Sequence, residues 1–483
     1  MKKYILISLF SLMVFGCGKD FLNTNPTTSL KEEYLMSSLS GCQTLLDGIH
    51  RHTYRFGSNH DEFGQKSVDH TLDRMGDDCF PTERGYGWYV GQYQFTTTRN
   101  ITASWLYYCW GYYYDIINNS NLLITNLEAL EVDDALMNRK RNLLAQAYTY
   151  RAHSHFYLVQ LFAKRFEPGG QNGHLGVPLS LVPNPGAQER SSVQALYAQI
   201  NSDLDLAIKY FGEGGRNISR PNASHINYNT TLAIKANVAL TQGNWAVARD
   251  NAALAKTGYA LASDYSYGWN KVGSEWFWGA VLIDEQQTSY ASFFSHIDPY
   301  FGGYASLGNH SKVSIELYDF MDDSDLRKQL FTTVQGKTRI GYKFSGWGEW
   351  TNDYLYMKAG EMYLVEAEAR CRLGDEDGAK NLLDLLIRSR TEDGGNPYPL
   401  ESLSGANLLD HILMQRRADL WGEGRRFLDL KRLNIDLDRS SHEFETDQLL
   451  PATKLIPAGD VRWQFLIPDQ EMRTNPFMVQ NEQ

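Results

Sequence analysis

The chain has 483 residues, with 46 Lys and Arg against 57 Asp and Glu, for a formal charge of −11. An acidic balance repels phosphate backbones and anionic headgroups, which excludes nucleic acid as an expected partner. The length allows about three domains or one large one, with ample chain to bury a core, and the surplus is aromatic, 29 Tyr and 11 Trp.

The N-terminus reads as an export signal. Lys2 and Lys3 precede an apolar run, residues 4–15, too short to span a bilayer, which closes on the lipobox Val14-Phe15-Gly16-Cys17. Cleavage before Cys17 would free its amine and thiol for acylation, and several acyl chains anchor stably where one binds only marginally. Residues 1–16 are therefore assigned to a signal peptide and Cys17 to lipidation, with residues 17–28, rich in Asn, Thr and Pro, as a tether. Losing Lys2 and Lys3 takes the charge to −13. With no second apolar run of spanning length, the body is expected to be water-soluble and held by lipid alone. Cys42, Cys79, Cys109 and Cys371 lack ligand spacing and imply no disulfide framework, although export permits one bridge, such as Cys79 to Cys109.

From residue 29 helical periodicity dominates, and helices are predicted over 30–50, 103–129, 134–163, 191–211, 227–241, 245–257, 353–373, 376–391 and 406–420. The fourth has capping-box spacing, Ser191 with Gln194, ahead of Val193, Leu196, Ile200, Leu204 and Ile208 at three- and four-residue steps. Two helix pairs repeat each other: Ala236, Gly243, Asn244 and Ala248 have the spacing of Ala367, Gly374, Asp375 and Ala379. Small residues let antiparallel helices approach, and Gly followed by Asn or Asp turns the corner between them. The expected fold is mostly α, a tetratricopeptide-like scaffold in one domain over 29–483. It is interrupted by two aromatic-rich insertions of loops and short strands, about 57–100 and 259–352.

No metalloprotease helix, nucleophile elbow, phosphate loop or dinucleotide fingerprint is present, so the chain is expected not to be an enzyme and to carry no cofactor or resident metal. His153 and His155 are two apart on a predicted helix and face different ways, a poor spacing for shared ligation. Adjacent Asp77 and Asp78 serve more simply in capping and hydrogen bonding than as an acid and base. Arg416, Arg417, Asp419, Glu423, Arg425, Arg426 and Asp429 form a dense charged cluster around Trp421 and Phe427, expected to pin the last helices through buried ion pairs. The best functional signal is the set of insertion aromatics, Tyr86, Trp88, Tyr89, Trp269, Trp276, Trp278, Tyr300, Tyr304, Trp347 and Trp350, with Asp78 and Arg84 as polar neighbours. A pyranose face of C–H bonds stacks on an indole or phenol while its hydroxyls need donors and acceptors nearby. For any single ring, burial in the core is the competing explanation.

Several stretches together carry a family resemblance: CGKDFLNTNP after the lipobox, LDRMGDD near residue 75, and YRAHSHFYLVQLF followed by GVPL. Further on come SVQALYAQINSDLDLAI, GEMYLVEAEARCRLGDEDGA, RRADLWGEGRRFLDLKR and FLIPDQEMRTNPFMVQN. In order and spacing these resemble the SusD/RagB family of outer-membrane nutrient-uptake lipoproteins, although Gln415 and Asp419 stand where such proteins usually carry Glu. The resemblance implies a lipoprotein on the outer leaflet that binds glycan and seats as a lid on a SusC-type TonB-dependent transporter. Some members look like peptide-uptake lids, so a peptide ligand is the alternative. A surface glycoside hydrolase using Asp77 or Asp78 is a third and weaker reading, and the family motifs do not report the ligand.

Overall fold

The computed structural model describes residues 37–346, 350–442 and 454–483. The expected signal peptide, Cys17, the tether and Trp347 lie outside the described residues. Consecutive helices α1 (Leu39–His52), α2 (Gln65–Met75), α3 (Ser104–Ala129), α4 (Asp134–Phe162), α5 (Val193–Gly212), α6 (Tyr228–Gln242) and α7 (Trp245–Ala255) are followed, after the second insertion, by α8 (Ala359–Arg372), α9 (Glu376–Arg388), α10 (Gly405–Asp419) and α11 (Arg426–Leu433). From α3 to α7 each helix packs on the next, and α7 then packs on α8 across about a hundred residues of intervening chain. The scaffold is thus continuous in space where the sequence is interrupted.

The repeated corners explain this packing. Ala236, Ala248, Ala367 and Ala379 are all fully buried, which is where helix axes come closest. Gly243 and Gly374 take positive φ, +71° and +82°, at the two turns, a conformation that costs any residue with a Cβ. At the second corner Asp375 caps α9 by accepting from the Gly378 N–H at 3.1 Å. In α5 the cap is one residue later than its spacing suggested: Ser192 accepts from the Ala195 N–H at 3.1 Å.

Two expectations from periodicity are corrected. Residues 57–100 are not only loop, because α2 lies inside them with every residue buried. Its polar sequence, QKSVDHTLDRM, hides the helix from an amphipathic pattern, since its charges are buried against partners rather than solvated. Residues 354–358 are a strand rather than the start of a helix. This strand, β6 (Tyr354–Lys358), pairs antiparallel with β2 (Trp276–Ala280), and both are buried throughout, so neither shows the alternation that marks a half-exposed strand. A four-stranded sheet runs β1 (Cys79–Pro81), β3 (Ser311–Val313), β5 (Lys337–Gly341), β4 (Phe331–Val334), all neighbours antiparallel. The four cysteines of the body, Cys79 and Cys109 included, are unbridged.

The charged cluster is a buried network. Arg417 contacts Asp78 at 2.7 Å, Arg426 contacts Asp77 at 2.6 Å, and Arg416 and Arg432 hold Asp429 at 2.8 and 2.7 Å. Burial alone would raise the Asp77 carboxyl, but Arg426 outweighs it and holds it at about 2; Arg416 and Arg432 do the same for Asp429, also at about 2. Both folded values lie below the ordinary 3.8, so each pair contributes stability that is present above pH 4 and lost as pH falls toward 2. Urea unfolding at a series of pH values should therefore show stability falling steeply between pH 4 and 2, and Asp77→Asn should flatten that slope.

Candidate functional site: an aromatic platform between the insertions

Strand pairing brings the two insertions together. β1 of the first lies against β3 of the second, with Cys79 opposite Val313 and Pro81 opposite Ser311. The seam continues beyond the strands, where the Thr82 N–H donates to the His310 carbonyl at 3.1 Å and its hydroxyl to the Gly308 carbonyl at 2.9 Å. Past this point the first insertion turns through Gly85 and Gly87, at φ +49° and +88°, and carries Tyr86 and Trp88 outward. Asn309 clamps the turn by donating to the Trp88 carbonyl at 3.2 Å, and Glu83 meets Lys337 at 3.2 Å.

The second insertion supplies the centre. The short helix Phe293–Ile297 is fully buried, and the loop after it folds back on it. The Tyr304 N–H donates to the Ser295 hydroxyl at 3.2 Å and the Ala305 N–H to the Ser295 carbonyl at 2.8 Å. Asp298, fully buried, accepts from the N–H groups of Tyr300 at 2.8 Å and Gly346 at 2.5 Å. Gly303 allows the close approach, because a Cβ there would sit 2.4 Å from the Ser295 Cα. Gly303→Ala must displace this loop, and with it Tyr304. The expected cost is about 1–3 kcal/mol of overpacking, with weaker ligand binding than wild type even at temperatures where the variant is folded, measured by titration calorimetry.

Tyr304 sits at the hub of the surface rings. Its centroid is 5.4 Å from Tyr86, 5.9 Å from Trp88, 5.5 Å from Tyr290 and 5.7 Å from His60. Tyr290 extends the row to Trp350 at 5.6 Å, and Trp350 rests edge-on against Phe301 at 4.4 Å. His60 stacks on Trp88 at 5.6 Å and its Nδ1 is 2.6 Å from the Tyr304 hydroxyl. Below lies His296, stacked under Tyr304 at 5.0 Å, with its Nε2–H donating to the His60 carbonyl at 2.8 Å. Burial holds His296 down to about 3, so this ring is a neutral packing plate.

Tyr86 is 71% exposed and Tyr290 42%, while Trp88, Tyr304 and Trp350 are half-buried. Rings backed in this way lose little freedom when a ligand stacks on them, which leaves more of the contact energy for binding. Polar groups stand beside them: Arg84, exposed in the same turn, the His60 imidazole, and Asn309, whose Oδ1 is buried without a hydrogen-bond partner.

Of the residues singled out from sequence, Tyr86, Trp88, Tyr304 and Trp350 meet in this platform, with Arg84 at its edge. Tyr300 is 60% exposed but turns toward Tyr342, 6.4 Å away, rather than into the cluster. Trp269, Trp276 and Trp278 are core residues. Trp269 donates to the Tyr265 carbonyl at 3.0 Å beneath the Lys358 ammonium, Trp276 to the Tyr267 hydroxyl at 2.6 Å, and Trp278 packs edge-on against Tyr150 and His153. Tyr89 is likewise buried, 4.5 Å from His70 and 5.0 Å from His296, as is Asp78 against Arg417. None of these five presents a face to a ligand. His60 and Tyr290 complete the platform and were not anticipated. Both fall inside the insertions marked by their aromatic content, but no local spacing distinguishes them.

Comparison with known proteins now bears on this arrangement. The SusD family profile matches residues 321–483, and a profile described as starch-binding associating with outer membrane matches residues 20–226. Between them these two SusD-type profiles cover most of the chain, which is SusD-like. A SusD-like protein, P2, from Formosa agariphila is 22% identical, with 97% of this chain and 96% of the relative aligned. A SusD-like carbohydrate-binding protein from Bacteroides vulgatus has the same fold, with TM-score 0.78, 22% identity, and 92% of this chain and 98% of that one covered. A laminarin-binding SusD-like protein aligns with TM-score 0.65 and 22% identity over 91% and 98% of the two chains. These likenesses establish for this SusD-like chain the mostly helical fold seen here. Among the described residues no helix is long and apolar enough to cross a membrane.

Proposed function

We propose that this protein is a cell-surface lipoprotein that captures oligosaccharide or polysaccharide on the Tyr86, Trp88, Tyr290, Tyr304 and Trp350 platform and delivers it to a SusC-type TonB-dependent transporter. The observation that carries the reading is the platform itself. Five rings from two distant insertions form one exposed, pre-supported surface with polar groups at its edge, which is what sugar faces and hydroxyls require. The carbohydrate-binding and laminarin-binding proteins of the same fold support a glycan as the ligand, and the lipobox at Cys17 supports anchoring in the outer membrane. A binding rather than hydrolytic role agrees with Asp77 and Asp78, both of which are engaged by arginines and buried. Purification of the native protein from outer membranes tests the whole reading. Metabolic palmitate label on the protein and co-purification of a TonB-dependent transporter are expected. Recovery as an unlipidated periplasmic protein would refute it.

A further inference from the structure

We propose that Asp47, His50 and His225 form a binding site for a divalent transition-metal ion of the Zn2+ type, separate from the platform. Asp47 and His50 lie one helical turn apart on α1, and His225 comes from the segment between α5 and α6; one donor atom from each lies within 4.8 Å of the other two. The imidazoles meet edge to face at 4.3 Å, and the His50 Nδ1 is 3.8 Å from the Asp47 carboxylate, beyond hydrogen-bond reach. The supporting observation is His50. It is 94% buried, since only 6% of its surface is exposed, and its ring is held by a side-chain hydrogen bond with Gln146, the kind of outer partner that fixes the orientation of a ligating imidazole.

Each histidine would ligate through its neutral imidazole, so binding is expected to weaken at acid pH. Arg220 is the opposing charge. Its guanidinium is committed to the carbonyls of His225, Ala223 and Phe277, with the Ala223 bond at 2.9 Å, while Asp47 supplies the compensating negative charge. Tetrahedral zinc with bonds of about 2.0–2.2 Å requires donors closer than they now stand. Asp47 is exposed and accepts from the Gln43 side-chain amide at 2.9 Å, a surface bond it would exchange for the ion on rotating inward. Two imidazoles and one carboxylate suit Zn2+ and its neighbours and suit Ca2+ or Mg2+ poorly, since those ions take oxygen ligands.

His225 also lines a cleft of about 710 Å3 walled by Asn142, Arg216, Asn227 and Asn229 among others, and this cleft shares no residue with the platform. The cleft opens His225 to solvent, and water from that side would complete the coordination of a bound ion. An ion here would staple α1 to the segment leading into α6.

The test uses tag-free, metal-stripped full-length folded protein. Calorimetric titration with Zn2+ should show one saturable equivalent, and Co2+ should give the visible absorption of a tetrahedral site. His225→Ala, at a half-buried position, should weaken Zn2+ at least tenfold and abolish the Co2+ band, and Asp47→Asn should weaken Zn2+ by a smaller factor. Wild type should gain thermal midpoint with Zn2+ but not with Ca2+, and His225→Ala should not. Absence of a stoichiometric Zn2+ isotherm, equal binding by His225→Ala, or an equal response to Ca2+ would overturn the assignment. None of these readouts depends on glycan binding, so failure here leaves the platform reading untouched.

Discussion

Trp88→Ala is expected to weaken oligosaccharide binding by about 10- to 100-fold while leaving the fold intact. The Trp88 indole is stacked on His60 and meets Tyr304, so its outer face is fixed before ligand arrives and little ordering entropy remains to be lost on binding. Covering an aromatic face of this kind contributes roughly 1.5–2.7 kcal/mol, which corresponds to that range in Kd. The half-buried ring rests on a turn held by the Asn309 amide, which donates to the Trp88 carbonyl, and by the Thr82 seam, and neither contact uses the Trp88 side chain, so truncation should not unfold the loop. The informative control is Trp276→Ala. That indole is 2% exposed and hydrogen-bonded within the core, so its loss should cost about 3–5 kcal/mol of stability and affect binding only through unfolding. Calorimetric titration against a panel of oligosaccharides, paired with urea unfolding, separates the two. Unchanged affinity in Trp88→Ala would remove the platform from the account.

The second large effect is expected from Asp419→Asn. Asp419 is fully buried at the end of α10; Arg390 contacts it at 2.8 Å, Lys358 at 3.2 Å, and the Lys343 ammonium donates to its carbonyl at 2.8 Å. Lys343 and Lys358 share Glu423 as well, and Arg390 also pairs with Glu275 at 2.8 Å. Burial alone would raise the Asp419 carboxyl, but these cations hold it far below the usual carboxylate range. Removing its charge leaves buried cations short of a counter-ion, a change expected to cost about 3–5 kcal/mol. The network lies under β6 and the segment from Lys343 to Gly346, and the Gly346 N–H anchors Asp298 beneath the platform loop. The variant should therefore lose stability in chemical denaturation and bind ligand more weakly at temperatures near its midpoint. A loss under about 1 kcal/mol would show that the charges are replaceable by simple polarity.

The scaffold was legible in sequence because its determinants are local. Ala236 with Gly243 and Ala367 with Gly374 announce close helix pairs, and the amphipathic run from Val193 to Ile208 announces α5. α2 was hidden because Lys66, Asp69, Asp73 and Arg74 are all buried, Asp69 and Arg74 against Lys66 and His70 of the same helix, Asp73 against the distant Gly424 N–H and Lys66 over the Phe293 ring, so its pattern looks polar without being exposed. The strand β6 was hidden because β2 covers it and the core buries both its faces. For the site, composition marks two aromatic-rich stretches, but composition cannot tell a ring that faces water from one that faces the core. Trp276 and Trp278 lie in a strand buried throughout, whereas Trp88 lies after a turn of two positive-φ glycines; only the pairing of β1 with β3, set by residues more than two hundred apart, decides which rings meet. His60 joins the platform for the same reason, through its bond to Tyr304.

The most direct test of the central claim is diffraction from crystals of the protein soaked in an oligosaccharide that calorimetry shows it binds. Sugar rings stacked on Trp88 and Tyr304, with hydroxyls reaching Arg84 or Asn309, are the expected result. A bound oligosaccharide seated elsewhere, such as in the cleft lined by Arg216 and Asn229, with the platform bare, would contradict it.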